Sequence, residues 1–196
     1  MNYNIHREEI WVTPIWSFEI PFSMVHPSDI EKECYVYAGQ DPGRLSSNVG
    51  GYQSNDMFLD SCPLPAVTHL MEVIHTMTAQ CSQEFGYDTH RKMDNFWINI
   101  NKPYDANNPH VHPGAVFSGV YYAKTNNDSG DLNFYPSPEI DYIMGMSRAK
   151  QNKYNMNNMI CKAVVGRVIM FPSWVMHGVG TNRSDQDRIS LSFNMS

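Results

Sequence analysis

The stretch Gly166-Arg167-Val168-Ile169-Met170-Phe171-Pro172-Ser173-Trp174-Val175-Met176-His177 decides how this chain is read. Arg167 to Phe171 is an apolar, β-branched run that opens after a glycine and stops at a proline, and Val175 to Val179 resumes beyond it. The spacing predicts strand, turn, strand, with a histidine carried on the second strand. On the C-terminal side, Asn182 to Asp187 has turn composition, and Arg188 to Asn194 is a further strand. On the N-terminal side, Ile160 to Val165 is another.

The same pattern of short strands extends upstream. Val116 to Lys124 is β-rich, Asn126-Asn127-Asp128-Ser129-Gly130 has hairpin-turn composition, and Leu132 to Tyr135 returns as a strand. Met93 to Lys102 alternates around Phe96, Ile98 and Ile100, and Pro109 to His112 is a short extended piece. The N-terminal part is different. Ile10 to Ile20 reads as an edge strand kinked at Pro14, and a helix capped by Ser28 runs to about Tyr37. Gly39 to Asp56 reads as loop, with one extended piece over Gly51 to Ser54. After Pro65, the residues Val67, Leu70, Met71, Ile74, Met77, Cys81 and Phe85 recur at three and four, the stripe of a helix of about twenty residues. Helices first and many short strands afterwards predict an α+β, mostly β chain. A helical face would pack on an antiparallel sandwich or barrel, in a single domain over 1–196.

Residues Pro136 to Asn158 have no clean period, yet Tyr142, Ile143, Met144, Met146 and Tyr154 are too apolar for a solvated linker. They read as a flap. A net charge of −6 and a pI near 5.7 argue against a general nucleic-acid-binding surface. No apolar run approaches the ~18 residues of a membrane span, and Cys34, Cys62, Cys81 and Cys161 form no Cys-x-x-Cys pattern. The expectation is a protein of the reducing cytoplasm, with free thiols and neither nucleic acid nor membrane as partner.

Residues two apart on a strand share a face, so His110 and His112 can share one ion, which His177 would close from a distant segment. Imidazole suits Fe, Zn, Cu and Ni alike. Arg188 and Ser190 also share a face, a shape suited to gripping a carboxylate with a charged fork and a hydroxyl. Ser118, Val120 and Tyr122 share a third face, and Asn99 and Asn101 lie on the strand before the histidine pair. Trp97, Trp174 and Tyr121 read as packing residues.

His-x-His, a Ser118-Gly119-Val120-Tyr121-Tyr122 strand, then a distal His and Arg-x-Ser, in that order, resemble the 2-oxoglutarate- and Fe(II)-dependent oxygenases, in particular a prolyl-hydroxylase-like branch. Ser47-Asn48-Val49-Gly50-Gly51-Tyr52-Gln53-Ser54, Trp97-Ile98-Asn99-Ile100-Asn101 and Arg188-Ile189-Ser190-Leu191-Ser192-Phe193-Asn194 extend the likeness over most of the chain. The resemblance implies a double-stranded β-helix (jelly-roll) with a metal at its open end. It implies Fe(II) on His110, His112 and His177, and 2-oxoglutarate held by Arg188 and Ser190 with Tyr122, Ser118 and Asn101. It also implies oxidation, by hydroxylation, of a peptidyl or small-molecule substrate, with release of succinate and CO₂. His112 stands where most such oxygenases carry Asp or Glu, so Asp131 or Asp105 is an alternative donor. Two other readings stay open at this point: a cupin-type three-His dioxygenase without 2-oxoglutarate, and a non-enzymatic β-sandwich with structural zinc.

Overall fold

Residues 9, 12–87, 92–136, 150 and 152–196 are described by a computed structural model. The expected flap lies largely outside them, at 137–149 and 151. The strands are β1 (Trp16–Glu19), β2 (Asn48–Val49), β3 (Tyr52–Gln53), β4 (Met93–Asn101), β5 (Ala106–His110), β6 (Phe117–Lys124), β7 (Leu132–Phe134), β8 (Met159–Cys161), β9 (Arg167–Pro172), β10 (His177–Val179) and β11 (Arg188–Met195). The helices are α1 (Pro27–Ala38) and α2 (Pro65–Glu84). Among the described residues the strands form two antiparallel sheets, ordered β1-β9-β6-β11-β4-β3 and β2-β5-β10-β7-β8. Two facing antiparallel sheets with helices against one of them make the expected double-stranded β-helix.

The larger sheet has two working faces, and strand alternation sorts residues between them. On β11, Ile189, Leu191, Phe193 and Met195 turn outward and pack with Ile98, Ile100 and Tyr121 against the α2 stripe of Val67, Leu70, Met71 and Ile74. The residues between them turn into the space between the sheets, where Val120, Tyr122, Leu132, Phe134, Ile169 and Phe171 form a second, smaller core. With both faces covered, β6 is buried from Phe117 to Ala123. The outer core anchors the sheet, and the inner one leaves room for polar side chains.

The α2 start lacks a capping side chain of its own, since its N-cap is Leu64. Glu33 on α1 supplies the cap from outside, accepting from the backbone N–H of Ala66 at 3.0 Å and of Val67 at 2.9 Å. A carboxylate at a helix N-terminus satisfies orphan donors and meets the positive end of the dipole.

Several local expectations are corrected. Helix α1 is capped by His26 rather than Ser28, and Ser28 hydrogen-bonds to the His26 ring. The segment Asn126 to Gly130 turns the chain without making a hairpin, because β6 and β7 belong to different sheets. The extended strand Ile10 to Ile20 reduces to Trp16–Glu19 within the described residues. Two-residue strand β2 went unread, being too short to show a period.

Removing the inter-helix cap tests this packing. Glu33→Ala should lower stability by about 1–2 kcal/mol, read as a fall in the urea midpoint with unchanged slope. An unshifted midpoint would show that the carboxylate contributes nothing.

Candidate metal centre

Antiparallel pairing of β10 with β5 sets His177 directly opposite His110. His112 is not on that strand: it lies two residues beyond the end of β5, so the shared strand face expected for His110 and His112 is not how they meet. Instead, its backbone N–H donates to Ser173 O at 3.0 Å, which draws the segment onto the turn before His177. The three ring centroids stand 4.4 to 5.0 Å apart. One ring nitrogen from each lies within 4.8 Å of the others, an arrangement that could hold a metal ion. His112 Nε2 and His177 Nε2 are 3.2 Å apart. Two nitrogens bound at ~2.1 Å on adjacent positions of one ion lie roughly 3.0–3.4 Å apart, so the spacing suits shared coordination.

Backbone carbonyls set the tautomers of two rings. His110 Nδ1 is 2.7 Å from Asn108 O, and His177 Nδ1 is 2.8 Å from Val175 O. Each Nδ1 must therefore carry the proton, leaving Nε2 with its lone pair toward the centre. Burial pushes the His177 pKa down to about 3 and that of His112 to about 4, with the neighbouring imidazoles adding to both. Burial also lowers His110. The triad is neutral at pH 7, as ligation requires. Neither alternative acid joins it: Asp131 binds Lys162 and the Ala163 N–H, and Asp105 accepts from the Lys102 N–H.

Beside Tyr122, which lines the cavity at the triad, lies a buried cation that is not itself in the cavity wall. Arg188 is 1% exposed, and its Nη1 donates to the carbonyls of Ser129, Gly130 and Gly180 at 2.6, 3.2 and 3.3 Å. Gly130, at φ +88°, makes this possible, since a Cβ there would stand 2.6 Å from Arg188 Nη1. No carboxylate pairs with Arg188 among the described residues. Among the described residues, its Nε and the Tyr122 hydroxyl are both buried without a partner. Burial raises the Tyr122 pKa, so the phenol stays a donor. Ser190 faces Tyr122 in register and lines, with Tyr122, Asn99 and the histidines, the inner cavity that opens onto the triad.

The remaining expected residues sit elsewhere. Ser118 donates to Asn194 Oδ1 at 2.8 Å and is not in the cavity wall. Asn101 pairs with Arg188 across β4 and β11, and its Oδ1 is buried without a partner among the described residues. Trp174 is exposed, and Tyr121 belongs to the helix-facing core. Trp97 stands beside His112, with ring centroids 5.6 Å apart, and walls both the inner cavity and an outer groove. That groove also draws on Arg44, Gln53 and Asn95, to which sequence reading gave no role. A signal for Gln53 did exist, in its place within the extended Gly51 to Ser54.

Residues 95–194, half of the chain, match the family model described as "Putative 2OG-Fe(II) oxygenase". The chain belongs to this 2OG-Fe(II) oxygenase family. Solved structures share its fold. A Pseudomonas putida prolyl-4-hydroxylase is 14% identical over 92% of this chain and 91% of its own, at a TM-score of 0.63. A Trichoplax adhaerens prolyl hydroxylase, solved with a hypoxia-inducible-factor peptide, is 15% identical over 92% and 83%, at 0.63. The α-ketoglutarate-dependent epimerase SnoN from nogalamycin biosynthesis is 12% identical over 91% and 77%, at 0.60. No curated protein matches the chain. The family's Fe(II) and 2-oxoglutarate fit the residues present: three neutral imidazoles for the metal, and an unpaired buried guanidinium with an orphan phenol for a carboxylate. No helix among the described residues is long and apolar enough to cross a membrane, and all four cysteines are free.

The depressed imidazoles make a pH prediction. Unfolded histidines take up protons near 6.5, whereas His112 and His177 in the fold do so only near 4 and 3. The unfolded chain therefore binds more protons across that window, and metal-free protein should lose stability as pH falls from 6.5 toward 4. Thermal melts of His177→Phe against the parent should show a shallower acid slope for the variant. Parallel slopes would mean that His177 takes up its proton as readily in the fold as in the unfolded chain.

Proposed function

We propose that the protein is a 2-oxoglutarate-dependent Fe(II) oxygenase acting as a hydroxylase on a peptidyl or small-molecule substrate. The observation that carries this reading is the pair of orphan groups among the described residues, Arg188 Nε and Tyr122 Oη, with Tyr122 in the wall of the cavity that the three imidazoles share. A buried cation without an anion is costly, and the arrangement is explained if a dianionic cosubstrate completes it.

In this reading His110, His112 and His177 hold the metal through Nε2. Fe(II) and 2-oxoglutarate, when bound, would let O₂ act as the oxidant, with one oxygen atom entering the succinate formed with CO₂ and the other entering the substrate as the new hydroxyl. Arg188, kept at fixed height by the three carbonyls, takes the distal carboxylate, and Tyr122 and Ser190 donate hydrogen bonds beside it. Asn101 steadies the neighbourhood of Arg188, and Ser118 acts at a distance by bracing β6 against Asn194. The apolar inner core of Leu132, Phe134 and Phe171 excludes water from the same space. His112 in place of a carboxylate makes this centre one unit more positive than the usual ligand set.

Two measurements test the assignment. Metal-loaded protein should bind 2-oxoglutarate in calorimetry, and Arg188→Ala should cost about 2–5 kcal/mol of that affinity, the range for breaking a buried charged pair. Unchanged affinity would sink the cosubstrate role. Iron affinity should fall at least roughly tenfold in His112→Ala and be retained in His112→Asp, because a carboxylate also ligates iron. Full iron content in His112→Ala would remove that residue from the ligand set. Activity itself is checked by succinate release with Fe(II) and 2-oxoglutarate.

A further inference from the structure

Outside the triad, on the side away from Arg188, the chain has a groove of about 500 Å³ whose wall includes His110 and His112 together with Arg44, Gln53, Asn95 and Trp97. Its hydrogen-bonding groups are unevenly spent. Gln53 is 3% exposed, yet its side-chain amide meets no partner among the described residues. Trp97 is 7% exposed, and its indole N–H likewise finds no acceptor there, its contacts being the His112 ring and the Arg44 guanidinium 5.8 Å from its centroid. Asn95 has its oxygen occupied by Asn194 Nδ2 at 3.0 Å, which leaves its own amide N–H groups to the groove. Nearly buried polar groups are normally satisfied, so Gln53 and Trp97, with the half-buried Asn95 on the same wall, point to a ligand that satisfies them.

The ledger of donors and charges narrows that ligand. What the wall leaves open is mostly N–H, and no carboxylate lines it, so the ligand must bring acceptors. Arg44 does not make the groove an anion site, because Asp56 neutralises it through both Nη atoms at 3.0 and 2.6 Å; its buried Nε, without a partner among the described residues, is one more open N–H. The acceptors wanted are therefore uncharged. The edge strands β2 and β3 end the two sheets beside this wall, with Gln53 on β3 and Ser46 and Ser47 leading into β2. Extended backbone is thus the shape that the walls present.

Building on the oxygenase reading, we infer that this groove takes an extended peptide segment, whose main-chain carbonyls accept from Gln53 and from the Trp97 indole while a side chain is presented to the metal. Gln53 and Trp97 are then specificity residues, separate from the groups that hold the cosubstrate.

The test follows the Trp97 indole ¹⁵N–¹H resonance, identified by its loss in Trp97→Phe, in protein loaded with Zn(II) and 2-oxoglutarate so that no turnover occurs. The probes are a pool of N-acetylated, C-amidated hexapeptides, a set of nucleoside monophosphates and a set of neutral oligosaccharides. The hexapeptides should move the indole resonance downfield. Their affinity, measured by calorimetry on the best binder, should fall about tenfold in Gln53→Ala and in Trp97→Phe, the size of one lost buried hydrogen bond. Gln53→Glu, which keeps the volume and turns a donor into an acceptor, should bind more weakly still. A response to nucleotides or oligosaccharides alone, no response to any probe, or peptide affinity indifferent to all three substitutions would overturn the inference. The oxygenase reading fails separately: 2-oxoglutarate binding is measured on the same sample, and its loss with peptide binding intact would refute that reading and leave this one standing.

Discussion

The structure turns on a guanidinium that has been taken out of water. Moving a cation between two sheets costs several kcal/mol unless it is compensated, and the chain supplies only part of the compensation, from three backbone carbonyls on one nitrogen. Those carbonyls have to converge, so Ser129, Gly130 and Gly180 must come within reach of the first residue of β11. Gly130 in the left-handed region and the Asn182 side chain, which ties the β10–β11 connection to Asn101 O and Gln186 O, fix the two segments that deliver them. Much of the loop architecture at this end of the barrel serves to hold one positive charge at a set height.

That arrangement needs a rigid floor, which the helices provide. The inner faces of β4, β6 and β11 carry Asn99, Asn101, Ser118, Tyr122, Arg188, Ser190 and Ser192, residues that would be poor material for a core. The outer faces of the same strands are almost wholly apolar and bury against α2. Alternation lets one strand contribute to both. Stability comes from one side of the larger sheet, and the polar interior on the other side is tolerated because of it.

This division also explains which features were legible in the sequence. The α2 stripe was plain because a helix of that length repeats its apolar spacing five times, and β4, β6, β9 and β11 were plain because each has a long apolar face. His177 and Arg188 were visible through their place relative to such strands. What escaped notice depends on packing between distant segments. His112 reaches the triad through a backbone bond to Ser173 rather than through strand alternation, and the Asn126 to Gly130 turn crosses between sheets although its composition is that of a hairpin. Glu33 capping a helix that begins at Pro65, and Gln53 left unsatisfied on a two-residue strand, have no local signature. Such residues are defined by what the fold places opposite them.

The ligand set carries a further electrostatic consequence. Three neutral imidazoles leave a divalent ion its full charge, and Arg188 places another positive charge beside Tyr122 of the same cavity. The polar groups that line the cavity with the histidines, Tyr122, Ser190 and Asn99 among them, bear no charge. A carboxylate at position 112 would remove part of this demand for negative charge; a histidine leaves it to whatever binds. The centre therefore has an unusually strong call for a dianion that can span from metal to guanidinium, and a correspondingly weak hold on any ligand that meets only one of the two. The wall of the outer groove is balanced by the Arg44–Asp56 pair and lacks that pull. Charge alone thus separates the two compartments on either side of the histidines. On the proposed reading the inner one takes a small anion and the outer one something neutral, and exchanging those occupants would leave the buried cation unpaired.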